Sequence, residues 1–261
     1  MNFKTSIYDF SGMCGDENLY ELLSGNEPVR LAGCRDIEGT SCYCSDDAKA
    51  EILSRIAASQ KGGGRFLNYI DTGDYHYLSY LLSSRIEGPF SLLVLDHHPD
   101  MQSPVFGDIL SCGGWVRKAM EDCPALENVL LIGIDDELAC ECEGFPGRVS
   151  YVTKDGPQRP GGPGRTMIAD ALTAVQAMKG RRVYISLDKD VLGRDYARTD
   201  WSQGNMSLEE LEAILRSVCG ISRVVGVDIC GGITHEKGGA PDDFRLNREL
   251  DAFLHSLLLA V

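Results

Sequence analysis

The 261-residue chain lacks the features that would direct it to a membrane, to nucleic acid or to an oxidising compartment. No apolar run approaches the ~20 residues that span a bilayer. Residues 1–10 hold no apolar core of a secretory signal, so the expectation is a cytoplasmic protein. Basic charge is scarce: 25 Lys and Arg face 39 Asp and Glu, a net charge of −14, and no basic patch relieves it. Such a surface repels phosphate backbones and anionic lipid, which excludes nucleic acid and membrane as expected partners and leaves a small-molecule substrate. Cysteine is plentiful at ten residues, but no Cys-x-x-Cys occurs; the two Cys-x-Cys pairs, Cys42/Cys44 and Cys140/Cys142, lack the recurring spacing of a zinc ribbon and read as free thiols. No repeat, low-complexity tract or charge-rich linker divides the sequence, so residues 1–261 are expected to form one domain.

What is present is a rhythm of short apolar runs alternating with helical patterns, the signature of repeated βα units. Strands are expected over 29–32, 66–70, 91–95, 128–134, 148–152, 182–187 and 223–227; most are near-continuous apolar runs, as in a parallel sheet covered on both faces. Helices are expected over 46–59, 75–84, 109–122, 166–179, 208–218 and 243–259, with Ser45 and Ser207 as N-caps and Glu210 completing a capping box. The Gly/Pro stretch Gly156–Arg165 reads as a surface loop. The fold class that follows is α/β: three α/β/α layers on a mostly parallel sheet.

In such a sheet, ligands bind beyond the carboxyl ends of the strands. One run, Leu92–Leu95, leads into Asp96-His97-His98-Pro99-Asp100, and another, Val183–Ile185, into Ser186-Leu187-Asp188-Lys189-Asp190. While the chain stays extended, Asp96, His98 and Asp100 share one side, as do Asp188 and Asp190. Four carboxylates and an imidazole gathered at strand ends repel one another unless divalent cations lie between them. Carboxylates with histidine and no thiolate suit Mn²⁺ or another borderline first-row ion, and a bridging carboxylate lets few side chains hold two. A third strand end, Gly73-Asp74-Tyr75-His76, supplies a further histidine.

These motifs resemble those of the ureohydrolases: arginase, agmatinase and formimidoylglutamase. Asp96-His97-His98-Pro99-Asp100 is similar to the family's Asp-Ala-His-x-Asp, Ser186–Asp190 to its Ser-Phe-Asp-x-Asp, and Gly73–His76 stands where Gly-Gly-Asp-His is found. The resemblance implies the arginase and deacetylase fold and a binuclear Mn²⁺ site: His76, Asp96, Asp100 and Asp188 around one ion, and Asp96, His98, Asp188 and Asp190 around the other. It also implies that Asp100 orients a hydroxide bridging the ions, that His97 and Lys189 point away, and that a homo-oligomer is possible.

The departures concern the substrate. Ser111-Cys112-Gly113-Gly114 occupies the place of a histidine loop, so Cys112 stands where a proton-shuttling histidine is expected. Gly231 replaces the glutamate that pairs with a guanidinium in arginase and agmatinase, leaving Asp228 or Glu236 as substitutes. Cys112 and Gly231 are thus expected at the substrate pocket, with Asp36–Thr40 as further lining. The expected activity is hydrolysis of a linear, non-peptide C–N bond of amidine or guanidine type. The alternatives are a deacetylase-like amide hydrolase with one metal, or a non-catalytic relative that binds metal or a small ligand.

Overall fold

The computed structural model describes residues 3–25, 28–104, 107–155 and 166–260. In chain order the elements are β1 (Phe3–Asp9), α1 (Met13–Asp16), α2 (Leu19–Leu23), β2 (Val29–Gly33), β3 (Tyr43–Cys44), α3 (Asp46–Ser59), β4 (Arg65–Tyr69), α4 (Leu78–Ser83), β5 (Phe90–Leu95), β6 (Leu110–Ser111), α5 (Trp115–Asp122), β7 (Leu126–Ile134), β8 (Val149–Thr153), α6 (Met167–Val175), β9 (Arg182–Asp188), α7 (Leu208–Ile221), β10 (Arg223–Cys230) and α8 (Pro241–Ala260). Eight strands form one parallel sheet in the order β2-β1-β4-β10-β9-β5-β7-β8. The short β3 and β6 pair antiparallel apart from it.

Side-chain alternation divides the apolar strands between two cores. Along β5, Leu93 and Leu95 join Val183, Ile185 and Leu187 of β9 under α6, α7 and α8. Phe90, Leu92 and Val94 face the other way, toward α3, α4 and α5. All six residues of β5 are buried, and each such Leu or Val contributes about 1.5–3 kcal/mol when removed from water. This is the three-layer α/β/α arrangement expected from the alternating runs. Ser45 caps α3 by accepting the Ala48 N–H, and Ser207 with Glu210 forms the full capping box of α7. Among the described residues, no helix is long and apolar enough to cross a membrane.

Three local expectations change. Strand β1 was not foreseen, because buried Thr5 and Ser6 interrupt its apolar run. The helix expected over 75–84 is a 3-10 turn, Gly73–Tyr75, followed by the shorter α4. The helix expected over 109–122 begins only at Trp115; Leu110 and Ser111 pair with β3, and Cys112–Gly114 form a 3-10 turn. Gly113 and Gly114 are poor helix formers, so tertiary pairing decides that stretch. The loop expected over 156–165 lies outside the described residues.

Candidate metal centre

Strands β5 and β9 are neighbours in the middle of the sheet, with Leu95 beside Leu187. The next residues, Asp96 and Asp188, therefore leave the carboxyl edge side by side. After β9 the chain turns at Lys189–Val191, where Asp188 Oδ1 accepts the Asp190 N–H at 2.9 Å. After β5 it turns at Asp100, a non-glycine residue with φ of 50°; a left-handed residue of this kind costs of order 1–3 kcal/mol unless its surroundings hold it. His76 arrives from the 3-10 turn beyond β4.

The side chains converge. His76 Nδ1 lies 3.0 Å from Asp100 Oδ2, 3.2 Å from Asp96 Oδ2 and 3.4 Å from Asp188 Oδ2. His98 Nδ1 lies 2.9 Å from Asp190 Oδ2 and 3.6 Å from Asp96 Oδ1. Two groups able to hold an ion result, His76/Asp96/Asp100 and Asp96/His98/Asp190, the donor atoms within 4.8 Å of one another, with Asp96 common to both. A third group, His76/Asp188/Cys230, shares this edge, but the Cys230 thiol donates to the carbonyls of Asp71 and Thr72. His97 and Lys189 point elsewhere: His97 Nε2 lies 3.6 Å from Asp135 Oδ2, and Lys189 Nζ lies 3.2 Å from Asp251 and 3.7 Å from Glu17.

The electrostatics of these residues fit a cation. Asp96 Oδ2 is buried and makes no hydrogen bond; His76 Nδ1, though 3.2 Å away, is poorly aligned to donate to it. Burial opposes a charge on either imidazole, yet the close carboxylates of Asp100 and Asp96 hold the His76 pKa well above its ordinary value, and those of Asp190 and Asp96 push His98 up to about 12. Burial, and then the Asp96 charge, raises Asp100 to about 7. Asp190 is pushed well up by burial and by Asp188 and Asp96. Despite its burial, Asp96 stays below the usual carboxylate range through the two histidine rings beside it. Protons on the two rings thus neutralise carboxylates that a metal ion would otherwise satisfy.

The arginase family profile matches residues 75–231, which include all of these donors. The chain belongs to the arginase family. It is 29% identical over 226 residues to an uncharacterised protein of Thermotoga maritima, spanning 86% of this chain and 78% of that one. Among solved structures it is similar to formimidoylglutamase from Bacillus subtilis (TM-score 0.69, 16% identity, 98% of this chain and 87% of that one). It is also similar to proclavaminate amidino hydrolase from Streptomyces clavuligerus (TM-score 0.67, 18% identity, 98% and 92%). At such identities the solved structures show the shared arginase-family fold.

Outer contacts orient the donors of this arginase-family chain. His76 Nε2 meets Ser186 Oγ at 2.9 Å, and Ser186 donates to Asp228 Oδ1 at 2.7 Å, which leaves His76 Nδ1 facing the carboxylates. His98 Nε2 is held likewise by Ser202 Oγ at 2.9 Å. Trp115 Nε1 donates to Asp100 Oδ2 at 2.7 Å. The sequence motifs did not point to Trp115, Ser202 or Ser186 as supports, since these contacts join distant segments.

A cavity of about 280 Å³ opens over the donors, with Cys42, Tyr43, Gln102, Cys112 and Trp201 in its wall. A roomier cleft of about 400 Å³ lies near Gly64, Arg182 and Val225, at the opposite ends of the strands, away from these groups. Cys112 is among the residues lining this cavity. Gly231 is not among the lining residues: its φ is +89°, and a Cβ there would meet Asp188 Oδ1 at 2.3 Å. A glutamate at this position would displace Asp188. Asp228 is fully buried in β10 against Ser186, and Glu236 is not among the lining residues, so neither replaces that glutamate in the cavity wall. Asp36–Gly39 border a different depression beside Arg55, and Cys42 with Tyr43 takes the place expected of that segment.

Proposed function

We propose that this chain is a metal-dependent hydrolase of a linear, non-peptide C–N bond of amidine type, acting on a small molecule in the cytoplasm. One observation carries the reading: the two oxygens of Asp96 address different donor groups, Oδ2 toward His76 and Oδ1 toward His98. A carboxylate shared in this way suits two ions close together. His76, Asp96, Asp100 and Asp188 would hold one and Asp96, His98, Asp188 and Asp190 the other, with Mn²⁺ matching the oxygen-rich donor set. Bound there, the ions supply Lewis acidity and a water acidic enough to attack near neutral pH.

The chain's own groups do the rest. Asp100, fixed by Trp115, holds the proton of the attacking water and orients its lone pair toward the trigonal carbon. The Ser186 and Ser202 hydroxyls keep each histidine's Nδ1 turned toward the site. In the cavity wall, Gln102 offers the substrate a neutral amide. The carboxylates lining the cavity are those of the donor set, so recognition does not rest on a bidentate guanidinium pair. This favours an amidine with a neutral or apolar substituent. Relatives titled agmatinase, formimidoylglutamase and proclavaminate amidino hydrolase support the amidine class. Gly231 and Cys112 favour a second reading, a non-catalytic metal-binding relative.

Metal-free protein is reconstituted with Mn²⁺, its ions are counted by elemental analysis, and hydrolysis of arginine, agmatine, guanidinobutyrate, formimidoylglutamate and acetylated amines is followed. Two ions per chain with turnover of an amidine support the proposal. One ion with turnover of acetyl amides replaces it with the deacetylase-like enzyme, and two ions without any turnover replace it with the binding protein.

A further inference from the structure

The cavity wall contains two cysteines that the proposed hydrolysis does not use. In the antiparallel pair β3–β6, Tyr43 faces Ser111 and Cys44 faces Leu110, so the next opposed pair is Cys42 and Cys112. The Cys112 N–H donates to the Cys42 carbonyl at 2.9 Å, the last bond of this ladder. Opposed residues of antiparallel strands have Cα atoms about 4.5–5.5 Å apart, inside the ~4.4–6.8 Å that a disulfide bridges. Both cysteines line the cavity. Cys112 is buried, whereas Cys42 is partly exposed.

Each cysteine is tied to a segment bearing a candidate ligand. The Cys42 N–H donates to the Asp74 carbonyl at 3.1 Å, in the turn that carries His76. Cys112 opens the turn into α5, where Trp115 holds Asp100. Cys42 also has a φ of 58°, a left-handed conformation unusual for a residue with a Cβ, and such strained positions gather at functional sites.

We propose that Cys42 and Cys112 are a redox-active dithiol that closes reversibly to a disulfide in the wall of the cavity, by exchange with a small-molecule disulfide such as oxidised glutathione. The partly exposed Cys42 sulfur attacks one sulfur of the glutathione disulfide, breaking its S–S bond and releasing one glutathione thiol. The Cys112 sulfur then attacks the Cys42 sulfur of the mixed disulfide and releases the second. The two cysteines lose two electrons and two protons, and one glutathione disulfide becomes two thiols. The product joins the Cys42 and Cys112 segments across the cavity, so the local redox state reaches the segments that bear His76 and Asp100.

The metal-free folded protein is equilibrated in buffers of graded reduced-to-oxidised glutathione ratio, its free thiols are alkylated, and linkage is mapped by mass spectrometry of proteolytic peptides. The expected result is a Cys42–Cys112 cross-linked peptide whose amount follows the buffer ratio and returns to the dithiol with dithiothreitol. In Cys42→Ser, confirmed as folded by circular dichroism, Cys112 should enter no intramolecular disulfide. Both residues recovered alkylated throughout, or each recovered only as a separate glutathione adduct, would overturn the proposal. Because linkage is read without metal or substrate, it fails or holds independently of the hydrolase assignment.

Discussion

At the scale of single residues, Asp96 is the hinge of the candidate metal centre, since it is common to the His76/Asp96/Asp100 and Asp96/His98/Asp190 groups. Asp96→Asn should therefore reduce bound Mn²⁺ from two ions to none and bring hydrolysis to background, measured by elemental analysis and turnover. Ser186 touches no donor group except through His76, so Ser186→Ala should weaken Mn²⁺ by ~10–100-fold while leaving two ions at saturation. A different balance governs Asp200, whose side chain is 3% exposed and whose carboxylate makes no hydrogen bond, only an ion pair with Lys237 Nζ at 3.5 Å. Burial, and then the nearby Asp74 charge, raises it from 3.8 to about 6. A carboxyl with a raised folded pKa retains a proton that the unfolded chain has already lost, so stability falls as pH rises through that window. Metal-free Asp200→Asn should gain roughly 2 kcal/mol relative to the parent between pH 4 and pH 7, read from urea unfolding at both pH values. No change in the difference with pH would contradict the account.

At the scale of elements, the turn after β9 is fixed from both sides. Lys189, between Asp188 and Asp190 in the chain, is buried and faces Asp251 and Glu17 within the core. Lys189→Met would leave those two buried carboxylates without their cation, and such a deletion costs about 3–5 kcal/mol. Adding Glu17→Gln and Asp251→Asn should recover part of the loss, which denaturant titration can measure. On the neighbouring β10, Gly231 has room for no side chain beside Asp188. Gly231→Glu, which restores the residue typical of arginase and agmatinase, should destabilise the protein by more than about 1 kcal/mol through overpacking and confer no arginine hydrolysis. The bare glycine at 231 and the close packing of β10 against Asp188 are one feature of this chain.

At the scale of the whole molecule, the sheet and its two cores hold a carboxylate cluster whose residues could hold divalent cations. Ions that bind only the folded state stabilise it by about 2.7 kcal/mol per site at a hundredfold excess over Kd. Mn²⁺ should accordingly raise the melting temperature by roughly 5 °C or more, EDTA should reverse the rise, and Asp96→Asn should show none. The net charge of −14 adds a long-range attraction for cations that weakens with salt.

The sequence by itself determined the alternation of buried strands and helices, because strands covered on both faces must be largely apolar, as Leu92–Leu95 of β5 and Val183–Ile185 of β9 are. It also determined that Asp96, His98, Asp100, Asp188 and Asp190 follow such strands, since carboxylates clustered after buried runs have few other physical uses. Strand β1 was not legible, because Thr5 and Ser6 break the apolar signal that only neighbouring strands restore. Only the tertiary structure decided that β5 and β9 are adjacent, that His76 crosses to them from β4, and that Trp115 and Ser186 orient the donors. It also decided that Gly231 is a packing requirement of Asp188 and that Cys42 faces Cys112. Each of these is a contact between segments far apart in the chain, fixed by strand order and register, and local periodicity carries no record of either.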